Sequence, residues 1–73
     1  MNYYIAVFKS RKDAMEFASN MTAARVPVRA VNTPRSIGEA CGISIRFPSG
    51  AMPIAERILS AGEYFGFRGF YRF

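Results

Sequence analysis

The strongest constraint on this chain is the order in which strand-like and helix-like patterns alternate along its 73 residues. Residues 3–8, YYIAVF, are apolar on both alternating faces, as in a central strand. The Ser-x-x-Asp pattern that begins at Ser10 is typical of a helix start, and apolar side chains then recur at helical spacing. We therefore predict a strand followed by a helix over about residues 11–24.

Two further strands are predicted on either side of a loop rich in Pro, Gly and Ser. Residues 26–31 predict a strand, and Pro27 restricts it to the edge of a sheet, because proline cannot donate a backbone hydrogen bond. Residues 43–47, ISIRF, alternate cleanly between apolar and polar. Their inward side chains are Ile43, Ile45 and Phe47, and their outward ones Ser44 and Arg46. We expect this third strand to have one solvated face.

A second helix and a last strand complete the pattern. The helix is predicted over about residues 51–61, with Pro53 in its first turn and Gly62 ending it. Residues 64–73 are rich in aromatic side chains and interrupted by glycines, which indicates a final strand that the glycines can kink. The predicted order is βαββαβ.

This order in so short a chain predicts a single domain over residues 1–73 with an α+β, ferredoxin-like fold. One four-stranded antiparallel sheet should carry both helices on one face. Right-handed crossovers place the first and third strands at its centre. The other face is left open, and its apolar and aromatic side chains indicate a homodimer or a docked partner there.

Composition limits the partners and the chemistry. Ten Lys and Arg against five Asp and Glu give a net charge of +5, so nucleic acid, an acidic protein and a small anion are all open as partners. One cysteine and no histidine leave no intramolecular disulfide and too few ligands for zinc, and we expect no cofactor. The N-terminal residues 1–10 have neither a basic leader nor a long apolar core, so we expect a cytoplasmic protein without a membrane span.

Two function classes are disfavoured by the residues present. Without histidine, and with carboxylates that show no paired spacing, the chain lacks a catalytic constellation, and we expect that it is not an enzyme. Residues 65–73, FGFRGFYRF, interleave Arg, Gly and aromatics, as RNA-recognition modules do. Those modules carry the signature on the third strand, however, where this chain has Ser44 and Arg46 outward. RNA binding is therefore disfavoured but stays open.

The single cysteine, Cys41, lies in the loop before the third strand, within TPRSIGEACG. The pKa of a free cysteine thiol is about 8.5. Cations or backbone N–H groups around the sulfur lower this pKa and so favour the thiolate. Arg35 and Arg46 can supply such charge, and Gly42 permits close approach to the sulfur, whereas Glu39 would oppose ionisation. From these residues alone, a working thiol and an inert one both stay open.

The pattern Pro-Arg-x-Ile-small-x-x-Cys-Gly over residues 34–42, followed by an aliphatic strand that holds Arg46, resembles the small bacterial family of selenium/sulfur carrier-like proteins. The resemblance covers nearly the whole chain. It implies that Cys41 holds sulfur or selenium as a persulfide or perselenide for transfer between a donor and an acceptor protein. It further implies that Arg35 and Arg46 stabilise the terminal anion and that Gly42 leaves room for it. An RNA-binding module and a non-catalytic dimerisation or regulatory domain stay as alternatives.

Overall fold

The structure is a computed structural model that describes residues 2–37 and 42–73. Its four strands form one antiparallel sheet in the order β2-β3-β1-β4: β1 (Tyr3–Phe8), β2 (Arg29–Asn32), β3 (Ile43–Pro48) and β4 (Phe67–Arg72). Helix α1 (Arg11–Ala23) follows β1, and helix α2 (Met52–Ala61) follows β3. The predicted α+β, ferredoxin-like order is confirmed, with β1 and β3 at the centre of the sheet.

The helix ends follow the signals in the sequence. Ser10 precedes α1, and its Oγ accepts a hydrogen bond from the backbone N–H of Asp13 at 3.4 Å, as the capping pattern predicts. A short 3-10 turn, Ser49–Ala51, leads into α2, which has Pro53 in its first turn. Gly62 follows the last residue of α2 and donates its N–H to the carbonyl of Ile58 at 3.2 Å.

Two strands begin later than predicted. β2 lies at the sheet edge, as predicted, but it begins at Arg29, so Pro27 precedes the strand, and Val26 is buried in the core. The missing N–H of Pro27 explains why the ladder forms only beyond it. β4 begins at Phe67, because the N–H of Phe67 donates to the carbonyl of Tyr64 at 3.1 Å in a turn.

Aromatic side chains fill the core between the sheet and the two helices. Phe8, Phe17 and Phe47 are fully buried, and the rings of Phe8 and Phe17 are 5.3 Å apart. From β4, Phe67 lies 5.5 Å from Phe8 and Phe70 lies 5.8 Å from Phe47, measured between ring centroids. The aromatic tail therefore closes the core at these two positions.

The sheet face away from the helices is more buried than predicted. Ile5 and Val7 of β1 and Ser44 of β3 are fully buried on this face, and Arg46 is half-buried. The expectation that Ser44 is solvated is therefore wrong, because Ser44 pairs with Val7 of one neighbouring strand and is covered by a hydroxyl contact described below.

At the end of β4, Tyr71 and Phe73 are 39% and 55% exposed, and a homodimer or docked partner stays a prediction. Within residues 2–37 and 42–73, no helix has the length and apolar character needed to cross a membrane.

Gly66 holds the turn before β4 against the start of α1. Its N–H donates to Oδ2 of Asp13 at 2.8 Å, and its carbonyl accepts from the N–H of Lys9 at 2.6 Å. A Cβ at Gly66 would lie 2.9 Å from the backbone nitrogen of Ser10. We expect Gly66→Ala to lower the free energy of unfolding by about 1–3 kcal/mol, measured by urea denaturation. The added methyl group would be too close to the backbone of Ser10, so one of the two backbone segments would have to shift.

Gly50→Ala is the matched control for that substitution. No atom lies within 4 Å of a Cβ placed at Gly50, so its effect should stay within about 0.5 kcal/mol. Equal stabilities of the two variants would contradict the close packing of Gly66 against α1.

Candidate functional site

The candidate site is built on the two ends of the loop that connects β2 to β3. The N–H of Thr33 donates to the carbonyl of Gly42 at 3.3 Å. This bond lies directly beyond the pairing of Asn32 with Ile43, so the sheet ladder continues to the described ends of the loop. Cys41, the predicted carrier residue, directly precedes Gly42 and lies outside the described residues.

A buried pair of hydroxyl groups lies beside this closure. The Oγ1 atom of Thr33 and the Oγ atom of Ser44 are 2.7 Å apart, and either can donate. Ser44 is fully buried and Thr33 nearly so. Each hydroxyl satisfies the other in a place that water does not reach, so the pair fixes the chain leaving β2 onto β3.

Sequence reasoning missed this pair, since it placed Ser44 in solvent and assigned no role to Thr33. A signal for it exists in the sequence: the two hydroxyl residues flank the loop, one just before it and one just after. Only the strand pairing shows that their side chains meet.

Arg35 and Gly42 both belong to the described ends of the loop. Arg35 is exposed and begins a short 3-10 turn, Arg35–Ile37, in which the N–H of Ile37 donates to the carbonyl of Pro34 at 3.1 Å. Gly42 is half-buried where β3 begins. Positive charge and a residue without a side chain are thus present at the two ends of the segment that contains Cys41.

Arg46 lies farther along β3 and faces a different neighbour. It is four positions after Gly42, so the rise of a strand, about 3.3 Å per residue, separates the two Cα atoms by about 13 Å. The guanidinium carbon lies 4.5 Å from the ring centroid of Tyr3, in a cation–π contact. Tyr3 pairs with Pro48, so this contact points away from the loop. The structure does not bring Arg46 together with Gly42.

Metal binding has no candidate site in the part of the chain that the structure describes. No three carboxylate, histidine or cysteine side chains of residues 2–37 and 42–73 are grouped so that they could hold an ion. The chemistry that the described part of the site offers is positive charge, backbone groups and a fixed pair of loop ends.

The buried hydroxyl pair makes a prediction about stability. Ser44→Ala leaves the hydroxyl of Thr33 buried without a partner, so we expect it to lower the free energy of unfolding by about 1–3 kcal/mol, measured by urea denaturation. Thr33→Val should have a similar cost, and the double variant should cost less than the sum of the two. Ser60→Ala, at an exposed position of α2, should have little effect. Strict additivity of Thr33→Val and Ser44→Ala would show that the hydroxyls do not interact.

Comparison with known proteins identifies the family. Residues 3–72 match the model of the family described as "Putative Se/S carrier protein-like". No curated protein and no solved structure matches the chain. The matched range contains all four strands and both helices, and it confirms the family resemblance predicted from the sequence. The chain therefore belongs to the Se/S carrier protein-like family.

Proposed function

We propose that this protein carries sulfur or selenium on Cys41, as a persulfide or perselenide, between a donor and an acceptor protein. The observation that supports this most is the family match over residues 3–72, which includes the segment with Cys41. Cys41 is the one thiol of the chain, so any chalcogen bound to a cysteine must be bound there. In this role the protein is a carrier and not an enzyme.

The loading step needs one thiolate from this protein, that of Cys41, and no second cysteine of the same chain. The Cys41 thiolate attacks the outer sulfur of a donor persulfide, and a new S–S bond forms between Cys41 and that sulfur. The S–S bond of the donor breaks, and its electron pair leaves on the donor thiolate. The outer sulfur keeps its proton or its negative charge throughout, so no oxidant or reductant is consumed. Unloading to the acceptor is the same exchange with Cys41 as the leaving group.

The described ends of the loop support this chemistry. The Thr33–Gly42 backbone bond and the Thr33–Ser44 hydroxyl pair attach both ends to the central strand β3. Gly42 adds no side chain beside the sulfur, which favours approach of a second protein. The exposed guanidinium of Arg35 contributes positive charge, which favours a thiolate and a terminal persulfide anion.

Location and partners follow from the same proposal. A carrier thiol must stay reduced and accessible, which is consistent with the cytoplasmic location expected from the sequence. Its partners are the donor and acceptor proteins, which must each expose a thiol or a persulfide. No observation favours the RNA-binding alternative or the dimerisation alternative over this function.

Charge removal at Arg35 tests the anion-stabilising role. In the unchanged protein we expect Cys41 to react with iodoacetamide with a pH midpoint below the free-thiol pKa of about 8.5. Arg35→Ala should raise that midpoint, because the thiolate loses a nearby cation, and should shorten the life of a persulfide loaded on Cys41. Alkylation rates and intact-protein mass spectrometry measure the two effects.

Lys12→Ala is the control, because Lys12 is exposed on α1 and its loss changes the net charge equally. It should leave both measurements nearly unchanged. Equal effects of the two substitutions would show that only total charge matters. An alkylation midpoint at or above the free-thiol value in the unchanged protein would assign Cys41 as an inert residue and remove the support for loading.

Arg46, the second predicted anion-stabilising residue, allows a comparison with Arg35. Because its guanidinium lies over Tyr3, we expect Arg46→Ala to shorten the life of the loaded persulfide less than Arg35→Ala does. The same mass-spectrometric decay measures it. An effect of Arg46→Ala as large as that of Arg35→Ala would mean that the Arg46 side chain turns towards the thiol in the loaded protein.

A further inference from the structure

Two arginines lie side by side on the sheet face opposite the helices. Arg29 of β2 and Arg46 of β3 are Cα partners in neighbouring antiparallel strands. Side chains at directly opposite positions leave the same face, with Cβ atoms about 4.5–5.5 Å apart, and like charges placed so are destabilising. No carboxylate of residues 2–37 and 42–73 forms an ion pair with either arginine. The two arginines therefore concentrate positive charge on this face, and no carboxylate among the described residues pairs with it.

These arginines line a polar cleft of about 270 Å³, together with Tyr3, Pro27, Val28 and Pro48. The lining contains no acidic side chain. Arg46 is held in place by the ring of Tyr3, 4.5 Å from its guanidinium carbon, so one wall of the cleft presents an oriented donor group. Guanidinium groups offer paired N–H donors that match the oxygens of phosphate and sulfate.

We propose that this cleft binds a tetrahedral oxyanion, phosphate or sulfate, between Arg29 and Arg46. The anion relieves the repulsion between the two guanidinium groups and fills the donor sites that face the cleft. The cleft has a volume of about 270 Å³, which leaves room for an oxyanion between the two side chains.

This site is independent of the carrier proposal. The cation–π contact turns Arg46 towards Tyr3 and away from the loop that contains Cys41, and Arg29 lies on the edge strand. Loss of Cys41 should leave oxyanion binding intact, so Cys41→Ser separates the failure of one proposal from the failure of the other.

A titration of the whole protein with inorganic phosphate tests the site. In NMR spectra at constant ionic strength, we expect saturable shifts of the Arg29 and Arg46 amide and Nε–H signals. Arg29→Gln should weaken the binding at least about tenfold, because a charge-assisted hydrogen bond is lost. Arg29→Lys, which keeps the charge but not the planar fork, should weaken it less than Arg29→Gln.

Arg57→Gln is the matched control, because Arg57 is exposed on α2, on the other side of the sheet, and its loss removes the same charge. It should bind phosphate as the unchanged protein does. As a second readout, phosphate should raise the Tm above its value in chloride of equal ionic strength, and Arg29→Gln should abolish that increment.

Three outcomes would overturn the proposal. One is the absence of saturable shifts at Arg29 and Arg46. Another is an equal loss of phosphate binding in Arg29→Gln and Arg57→Gln, which would show that only net charge attracts the anion. The third is binding of single-stranded oligouridine with an affinity that rises with length and depends on Tyr71, which would assign the face to nucleic acid.

Discussion

β1 is the element on which the rest of the structure depends, because it is buried on both faces. Ile5, Ala6, Val7 and Phe8 have no exposed surface, and β1 pairs with β3 on one side and β4 on the other. Ala6 and Phe8 face the helices, while Ile5 and Val7 face the opposite side. Burial of side chains such as Ile5, Val7 and Phe8 stabilises the fold by about 1.5–3 kcal/mol each. The side chains of this one strand therefore contribute to the packing on both faces of the sheet.

The candidate site takes its position from the neighbour of β1. β3 pairs with β1 along its whole length, so Ile43, which begins β3, is paired with the buried Phe8. Gly42 meets Thr33 there through a backbone bond, and Ser44 meets it through a hydroxyl bond. The segment that contains Cys41 is thus attached at both of its described ends to the central part of the sheet. Under the proposed carrier function, such attachment favours reproducible presentation of the segment to a donor or an acceptor.

The positive charges before and on β3 are placed so that they separate two proposed roles. Arg35 and Gly42 lie at the end where the loop enters, whereas Arg46 is turned towards Tyr3 and the far end. Arg29 reinforces the charge of Arg46 from the edge strand. A net charge of +5 on a small domain attracts anions in general, but only paired side chains in a defined cleft select one. The same strand can thus serve a thiol at one end and an oxyanion towards the other.

The sequence by itself determined the order of elements, because each signal is local. Hydrophobic period, the cap at Ser10 and the stop at Gly62 involve residues within a few positions of one another, and all three are present in the structure. The family could also be predicted, since the resemblance rested on a contiguous stretch of sequence, residues 34–42, and the family model matches residues 3–72. The edge position of β2 was predicted from Pro27 and is present in the structure, although Pro27 itself precedes the strand.

Tertiary structure decided which side chains meet across strands. Whether Ser44 is solvated depends on Thr33, and whether Arg46 faces the loop or Tyr3 depends on the register of β1 against β3. Alternation along one strand gives the face of each residue but says nothing about its neighbour on the next strand. Strand pairing joins residues that are far apart in the chain, and only the folded sheet fixes that register.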